Sequence, residues 1–348
     1  MTVSKAQREK EIAELINARR IIGGPSDKFH SISHVRYPWA IELLEKMMHN
    51  EWFPKRISLV KDRNQYQEKP PTHGVRIAVD RALAFLTNLD AIQVENLAMN
   101  IGTYITDPTL KLVIYRQTWE EALHVFSYSY VIENICDDPM HIYDMYNVNP
   151  TLKAKNDFVV AQANALRTEA FTEENFLYAL VSNILLEGVY FHSGFLLFYV
   201  LERLHREFLG AANEIRYIQR DETSHLVFFI NMFNSLVAEN PGILTDKVKE
   251  NIYKLFDAGT NLEITWGNHI IEHGVAGMTP YTNDQYIKVL ANKRLKAINL
   301  NPLYEGVENP YPWVDAVAQV NSQEKNFFEG KPENYSKKAL TFEEDDED

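Results

Sequence analysis

Apolar positions along this chain recur with the 3.6-residue period of an α-helix, and few segments alternate as a strand would. The spacing predicts a charged amphipathic helix over 5–20 and another over 35–50, then a loop containing Pro54, Pro70 and Pro71. Long helices follow over about 75–103, 109–137, 172–209, 211–239 and 245–273, with shorter ones over about 283–298 and 312–322. No element is assigned between 138 and 171. The expected fold class is therefore all-α, built as a helical bundle. From Ile184 to Leu201 the chain is nearly all apolar, interrupted by Glu187 and His192. That run is long enough to raise a transmembrane reading. Polar residues follow soon after it (Glu202, Arg203, His205, Arg206), and it has neither a basic flank pattern nor a second membrane-like span to accompany it. A helix apolar all round is more simply the central helix of a large bundle, with no membrane involved.

A carboxylate in such a helix cannot stay charged and alone, because desolvation costs too much. Glu187 must be protonated, paired or bound to a metal. Asp90 poses the same question in RALAFLTNLDAIQVENLAMNI. Two copies of Glu-x-x-His point to metal. Glu121 and His124 lie in WEEALHVFSY, with Tyr128 four residues on, and Glu222 and His225 lie in IQRDETSH. At about 100° per residue, each pair shares one helical stripe, and Tyr128 falls on the stripe of the first. One Glu-x-x-His is weak, since about one is expected by chance in a chain this rich in both residues. Two copies in long apolar helices, with one isolated carboxylate on each of two further helices, match the ligand pattern of dinuclear carboxylate sites. The candidate metal ligands are Asp90, Glu121, His124, Glu187, Glu222 and His225, on helices 75–103, 109–137, 172–209 and 211–239. His192 reads as a core histidine rather than a seventh ligand.

Composition narrows the remaining classes. The 348 residues carry 35 basic and 48 acidic side chains, a net charge of −13 with no basic cluster, which argues against a nucleic-acid partner. The single cysteine, Cys136, rules out an intrachain disulfide and a cysteine-based zinc site, and fits a reducing cytoplasm. No Gly/Ser/Pro-rich linker divides the chain, so residues 1–322 are expected to form one helical domain. Residues 323–348 form a polar tail ending in EEDDED, with Leu340 and Phe342 its only large apolar residues near the end.

The segments NEWFP, LTNLDAIQ, RQTWEEALHVFSY, NILLEGVYFHSGF, RYIQRDETSH, NPYPW and the tail from EKNFFEGKPENY onward together carry a resemblance over nearly the whole length. In order and spacing they resemble the small, radical-generating subunit of class I ribonucleotide reductase. The resemblance implies a ferritin-like bundle that forms a homodimer, with a dinuclear metal site in a four-helix core. It assigns Asp90, Glu121 and His124 to one metal and Glu187, Glu222 and His225 to the other, with bridging carboxylates. It makes Tyr128 the radical-bearing residue, formed with O2, and Phe191, Phe195 and Ile218 the apolar pocket that shields it. Trp52, Asp221 and His124 would begin a long-range radical path. Tyr335 would pass the oxidant to the large subunit, where ribonucleotides become deoxyribonucleotides. Leu340 and Phe342 would anchor the tail in that partner. Tyr128 and Asp90 point toward a di-iron centre, whereas RQTWEEALH, Tyr217 and EKNFF are closest to a branch that uses manganese–iron without that tyrosine. Mn/Fe and di-manganese centres therefore stay open. A ligand-binding Mn/Fe oxidase of the same superfamily is the alternative function; it would share the six ligands but needs neither Trp52 nor the Tyr335 tail.

Overall fold

The computed structural model describes residues 4–25, 27–168 and 171–315. The tail from 323, and with it Tyr335, Leu340 and Phe342, lies outside the described residues. Of the helix expected over 312–322, residues 312–315 are helical and the remainder is likewise outside. In chain order the helices are α1 (Lys5–Ala18), α2 (Pro38–His49), α3 (Val60–Gln67), α4 (Gly74–Glu95), α5 (Gly102–Tyr104), α6 (Pro108–Ile135), α7 (Pro139–Val148), α8 (Pro150–Thr168), α9 (Glu173–Leu185), α10 (His192–Val200), α11 (Leu209–Glu239), α12 (Asp246–Ile270) and α13 (Pro280–Ala297). Among the described residues there is no strand, only two isolated bridges. The fold is all-α, as the hydrophobic period predicts.

Three helices are additions to the sequence-based expectation. Helix α3 sits inside the segment expected to be loop, and α7 and α8 fill the unassigned 138–171. Each hides its period. The short α3 has no apolar stripe, since Val60 is exposed and only Asp62 and Tyr66 are buried. In α8 the buried stripe is Leu152, Lys155, Asn156, Val159 and Leu166, so a lysine and an asparagine occupy core positions. Lys155 is held there by an ion pair with Glu263 of α12 and a hydrogen bond to the Tyr190 carbonyl.

The site-bearing helices are capped and packed by ordinary means. Asp107 caps α6, its Oδ1 accepting from the amides of Thr109 (2.8 Å) and Leu110 (3.0 Å), with Pro108 at the first helical position. Helix α11 has no cap of its own. Instead Asp62 of α3 accepts from the amides of Gly210 (3.3 Å) and Ala211 (2.8 Å), and Gln65 accepts from that of Phe208 (2.8 Å). Helix α4 packs on α6, α9 on α11, and the two pairs meet through α6 and α11.

The helix expected over 172–209 is not one regular rod. Single π-type turns at Leu186–Tyr190 and Leu201–His205 interrupt it, and another, Asn96–Ile101, follows α4. The Glu173–His205 rod contains a window long and apolar enough to cross a membrane, but that window is entirely buried by protein. It is the core helix of the bundle, as expected.

Candidate metal centre

The six expected ligands meet in the middle of the bundle, at 0–2% exposure. Asp90 comes from α4, Glu121 and His124 from α6, Glu187 from the Leu186–Tyr190 π turn, and Glu222 and His225 from α11. Their donor atoms form two overlapping groups, in each of which all lie within 4.8 Å of one another. One is Asp90, Glu121, His124 and Glu222; the other is Glu121, Glu187, Glu222 and His225. Glu121 and Glu222 belong to both, which is the arrangement of two bridging carboxylates between two metal positions. Both imidazoles turn Nδ1 inward. His124 Nδ1 lies 3.0 Å from Glu222, and His225 Nδ1 lies 3.0 Å from Glu222 and 3.1 Å from Glu121.

The atoms left without hydrogen-bond partners test whether the site fits a metal pair. Both oxygens of Asp90, one oxygen each of Glu121, Glu187 and Glu222, and His124 Nδ1 are buried and unpartnered. Buried polar atoms are nearly always satisfied, so such a convergence marks a place for a cation. Four carboxylates and two imidazoles form an oxygen-rich set with two nitrogens, suited to iron or manganese. The electrostatics agree. Burial pushes the Asp90 and Glu187 carboxyls well above their ordinary range, reinforced at both by Glu121 and Glu222. At His124 and His225 burial works against the charged form, yet the surrounding carboxylates outweigh it and raise both imidazoles well above their usual value. Burial also works against an ionised Glu222, but His225 and His124 hold it below the ordinary range. Too much negative charge shares one dry space, and divalent cations would relieve it.

Hydrogen bonds behind the ligands fix their orientation. Asp221 receives the Trp52 indole N–H at 2.7 Å, lies 3.4 Å from His124 Nε2, and is also contacted by Arg220 at 3.2 Å. Trp52 stacks on Tyr217 with ring centroids 5.1 Å apart. Three buried partners escaped the sequence reading. Glu120 lies 2.9 Å from His225 Nε2. Gln117 donates to Glu187 (3.0 Å) and Glu121 (3.2 Å), and Gln93 also donates to Glu187. Neutral glutamines carry no charge signal in a sequence. Glu120 did leave one, since an acid precedes both motifs, in EEALH and in DETSH.

Tyr128 is fully buried one helical turn beyond His124, and its hydroxyl has no hydrogen-bond partner. Burial, with Asp90, Glu222 and Glu121 nearby, pushes its ionisation far up, so the phenol is neutral. Phe191, Phe195 and Ile218 are buried to 1% exposure or less, and the two phenylalanine rings stack at 5.5 Å. His192 lies outside both ligand groups, against the rings of Phe195 and Tyr286.

Comparison with known proteins agrees with this geometry. The family model "Ribonucleotide reductase, small chain" matches residues 30–310. The chain is 32% identical over 333 residues to the ribonucleoside-diphosphate reductase subunit beta of Treponema pallidum, covering 93% of this chain and 92% of the relative. It is 30% identical to the corresponding subunit of Halalkalibacterium halodurans, covering 91% of each. Among solved structures, the ribonucleotide reductase R2 subunit from Clostridium botulinum matches with a TM-score of 0.81 and 33% identity, over 86% of this chain and 93% of that one. The Streptococcus sanguinis dimanganese(II)-NrdF structure shares the fold, with a TM-score of 0.70 at 21% identity over 84% of this chain and 99% of that one. The chain belongs to the ribonucleotide reductase small-chain family, and its activity is that of the radical-generating subunit of ribonucleoside-diphosphate reductase.

Proposed function

We propose that the oxidant is formed at a metal pair held by Asp90, Glu121, His124, Glu187, Glu222 and His225 and is stored on Tyr128. The observation that carries this reading is the convergence of unpartnered ligand atoms from four helical segments beside a buried, unpartnered phenol. A bound metal pair supplies oxidising power through its reaction with O2. The protein's own contribution is positional. The carboxylates and imidazoles would hold the ions, and the glutamines Gln93 and Gln117 hydrogen-bond Glu187 and fix it in place. Phe191, Phe195 and Ile218 exclude water and reductants from the phenol. Tyr128 would lose one electron to the oxidised pair and its hydroxyl proton to the neighbouring carboxylate cluster of Asp90, Glu222 and Glu121. Trp52, Asp221 and His124 form a continuous contact from the site toward the surface loop at 50–53, suited to carrying an oxidising equivalent outward.

Di-iron is the metal pair proposed, on the strength of Tyr128; manganese–iron and di-manganese are the competing loadings. The rest of the assembly follows the same reading. Residues 1–322 form the helical domain and 323–348 a tail. Through the tail, Tyr335 passes the oxidant to the large subunit while Leu340 and Phe342 anchor the contact. The protein works in the cytoplasm as a homodimer. Exposed Leu112, Tyr115, Trp119, Ala122 and Phe126 on α6 repeat at alternating three- and four-residue steps, the spacing of a helix-pairing seam. A stripe of this kind matches itself across a two-fold axis.

The test is metal loading followed by electron paramagnetic resonance. Metal-free protein is given ferrous iron, manganous ion or both, then oxygen, with Tyr128→Phe in parallel. An organic radical from iron alone, absent in Tyr128→Phe, is the expected result. A coupled mixed-metal signal that persists in Tyr128→Phe would overturn storage on Tyr128. For the tail, deletion of residues 336–348 is expected to abolish turnover with the large subunit while leaving the radical signal intact.

A further inference from the structure

The acid that precedes each Glu-x-x-His does not serve its own motif. Asp221, ahead of Glu222 and His225, approaches Nε2 of His124 at 3.4 Å. Glu120, ahead of Glu121 and His124, approaches Nε2 of His225 at 2.9 Å. The wiring is crossed between α6 and α11, and each acid is held by an arginine four residues before it or beside it. Arg116 Nε donates to Glu120 at 2.9 Å, and Arg220 contacts Asp221 at 3.2 Å. Both arginines then reach the same short piece of chain, the C-terminal end of α2. Arg116 Nη2 donates to the Met47 carbonyl at 3.2 Å, and its Nη1 to Glu51 at 3.0 Å. Arg220 Nη2 donates to the Asn50 carbonyl. Trp52, next in sequence, donates to Asp221. A helix C-terminus carries partial negative charge and unpaired carbonyls, so it is a natural seat for two guanidinium groups.

We propose that Glu120 is the positioning residue for His225, and that residues 47–52 are a common anchor tying the orienting acids of both histidines. With Arg116 alongside, the Glu120 carboxylate takes the Nε2–H of His225 and leaves Nδ1 bare toward the metal. The two arms differ in character. The His124 arm ends in the buried indole of Trp52, stacked on Tyr217. The His225 arm ends in the ion pair of Arg116 with Glu51, whose side chain is 42% exposed. One metal position is thus oriented through an aromatic interior, and the other through a charged chain that comes out at the surface.

The inference rests on the metal-pair reading, and site-resolved metal binding separates the two. Cobalt(II) is titrated into the full-length metal-free protein, following its visible absorption and the two binding steps. The proteins compared are wild type, His225→Ala, Glu120→Ala, Glu120→Gln and Glu51→Gln. His225→Ala should abolish one of the two steps; if both remain unchanged, the site reading itself is wrong. Glu120→Ala should weaken that same step by about 10–100-fold, change the cobalt spectrum and spare the other step. Glu120→Gln keeps an acceptor oxygen and should lose less. Glu51→Gln, at the exposed end, should give a smaller loss in the same step. A purely structural role for Glu120 would lower the melting temperature of the metal-free protein but leave both affinities and the spectrum at wild-type values, and that outcome overturns the proposal. If Glu120→Ala does not fold, Glu120→Gln and Glu51→Gln decide: wild-type affinities and spectra in both overturn it.

Discussion

Burial alone sets the protonation of Glu214, which lies outside both ligand groups. It sits in α11 at 0% exposure, and neither carboxyl oxygen has a hydrogen-bond partner. Desolvation pushes its pKa from 4.5 up to about 8, so the folded protein holds a proton there that the unfolded chain releases above about pH 4.5. The stability this supplies is fully present below pH 4.5 and is lost as pH rises through about 8. The slope approaches, at most, about 1.4 kcal/mol per pH unit inside that window. Glu214→Gln, a neutral isostere, should remove that component. Urea midpoints measured from pH 5 to 9 should show the variant gaining on wild type as pH rises; parallel curves would show that Glu214 ionises without penalty. At this scale the cluster of Asp90, Glu121, His124, Glu187, Glu222 and His225 was legible because a carboxylate in an apolar helix demands a partner and two Glu-x-x-His pairs could supply it. Asp221 entered only with the family resemblance. Glu120 was hidden in a glutamate doublet whose second member already had a role.

Helix α11 delivers Glu222 and His225, yet its first turn is satisfied by another element. The N-terminal amides at Gly210 and Ala211 are capped by Asp62, a buried acid on α3, rather than by a residue of their own segment. An acid there also complements the positive end of the helix dipole. Asp62→Ala should therefore cost about 1–2 kcal/mol, the usual range for losing an N-cap. Asp62→Asn, which keeps one acceptor, should cost less. Denaturant unfolding of the metal-free proteins measures both, and an Asp62→Ala variant as stable as wild type would show that water replaces the cap. Long helices such as α6, α11 and α12 were legible within a few residues, because their buried stripes repeat for many turns. Helix α3 was not, since it is short and polar and works through two side chains rather than an apolar face. Helix α8 was not, because Lys155 occupies a core position that only its partner Glu263 makes tolerable. The π turn that carries Glu187 was equally invisible: it inserts one residue into a rod apolar on every side, so no period is left to break.

Across the whole molecule, the metal centre is deep in the bundle, while α6 runs from that centre to an exposed face. The inward side of α6 carries Glu121, His124 and Tyr128 at 0% exposure. Its outward side leaves Leu112, Tyr115, Trp119 and Phe126 between 42% and 55% exposed. Scattered exposed apolar residues need no explanation, but an unbroken helical seam of them does. A second copy of α6 laid across the first would cover Trp119 and Phe126 in both chains at once, as a two-fold contact requires. Trp119→Glu should therefore shift the protein from dimer to monomer in sedimentation at micromolar concentration, since the seam would then bring together two buried like charges. Tyr281→Glu places the same charge at a residue that is 72% exposed on α13, away from the seam, and should leave the dimer intact. If Trp119→Glu sediments like wild type, the outer face of α6 serves another partner, and the self-pairing contact must be sought on a different face.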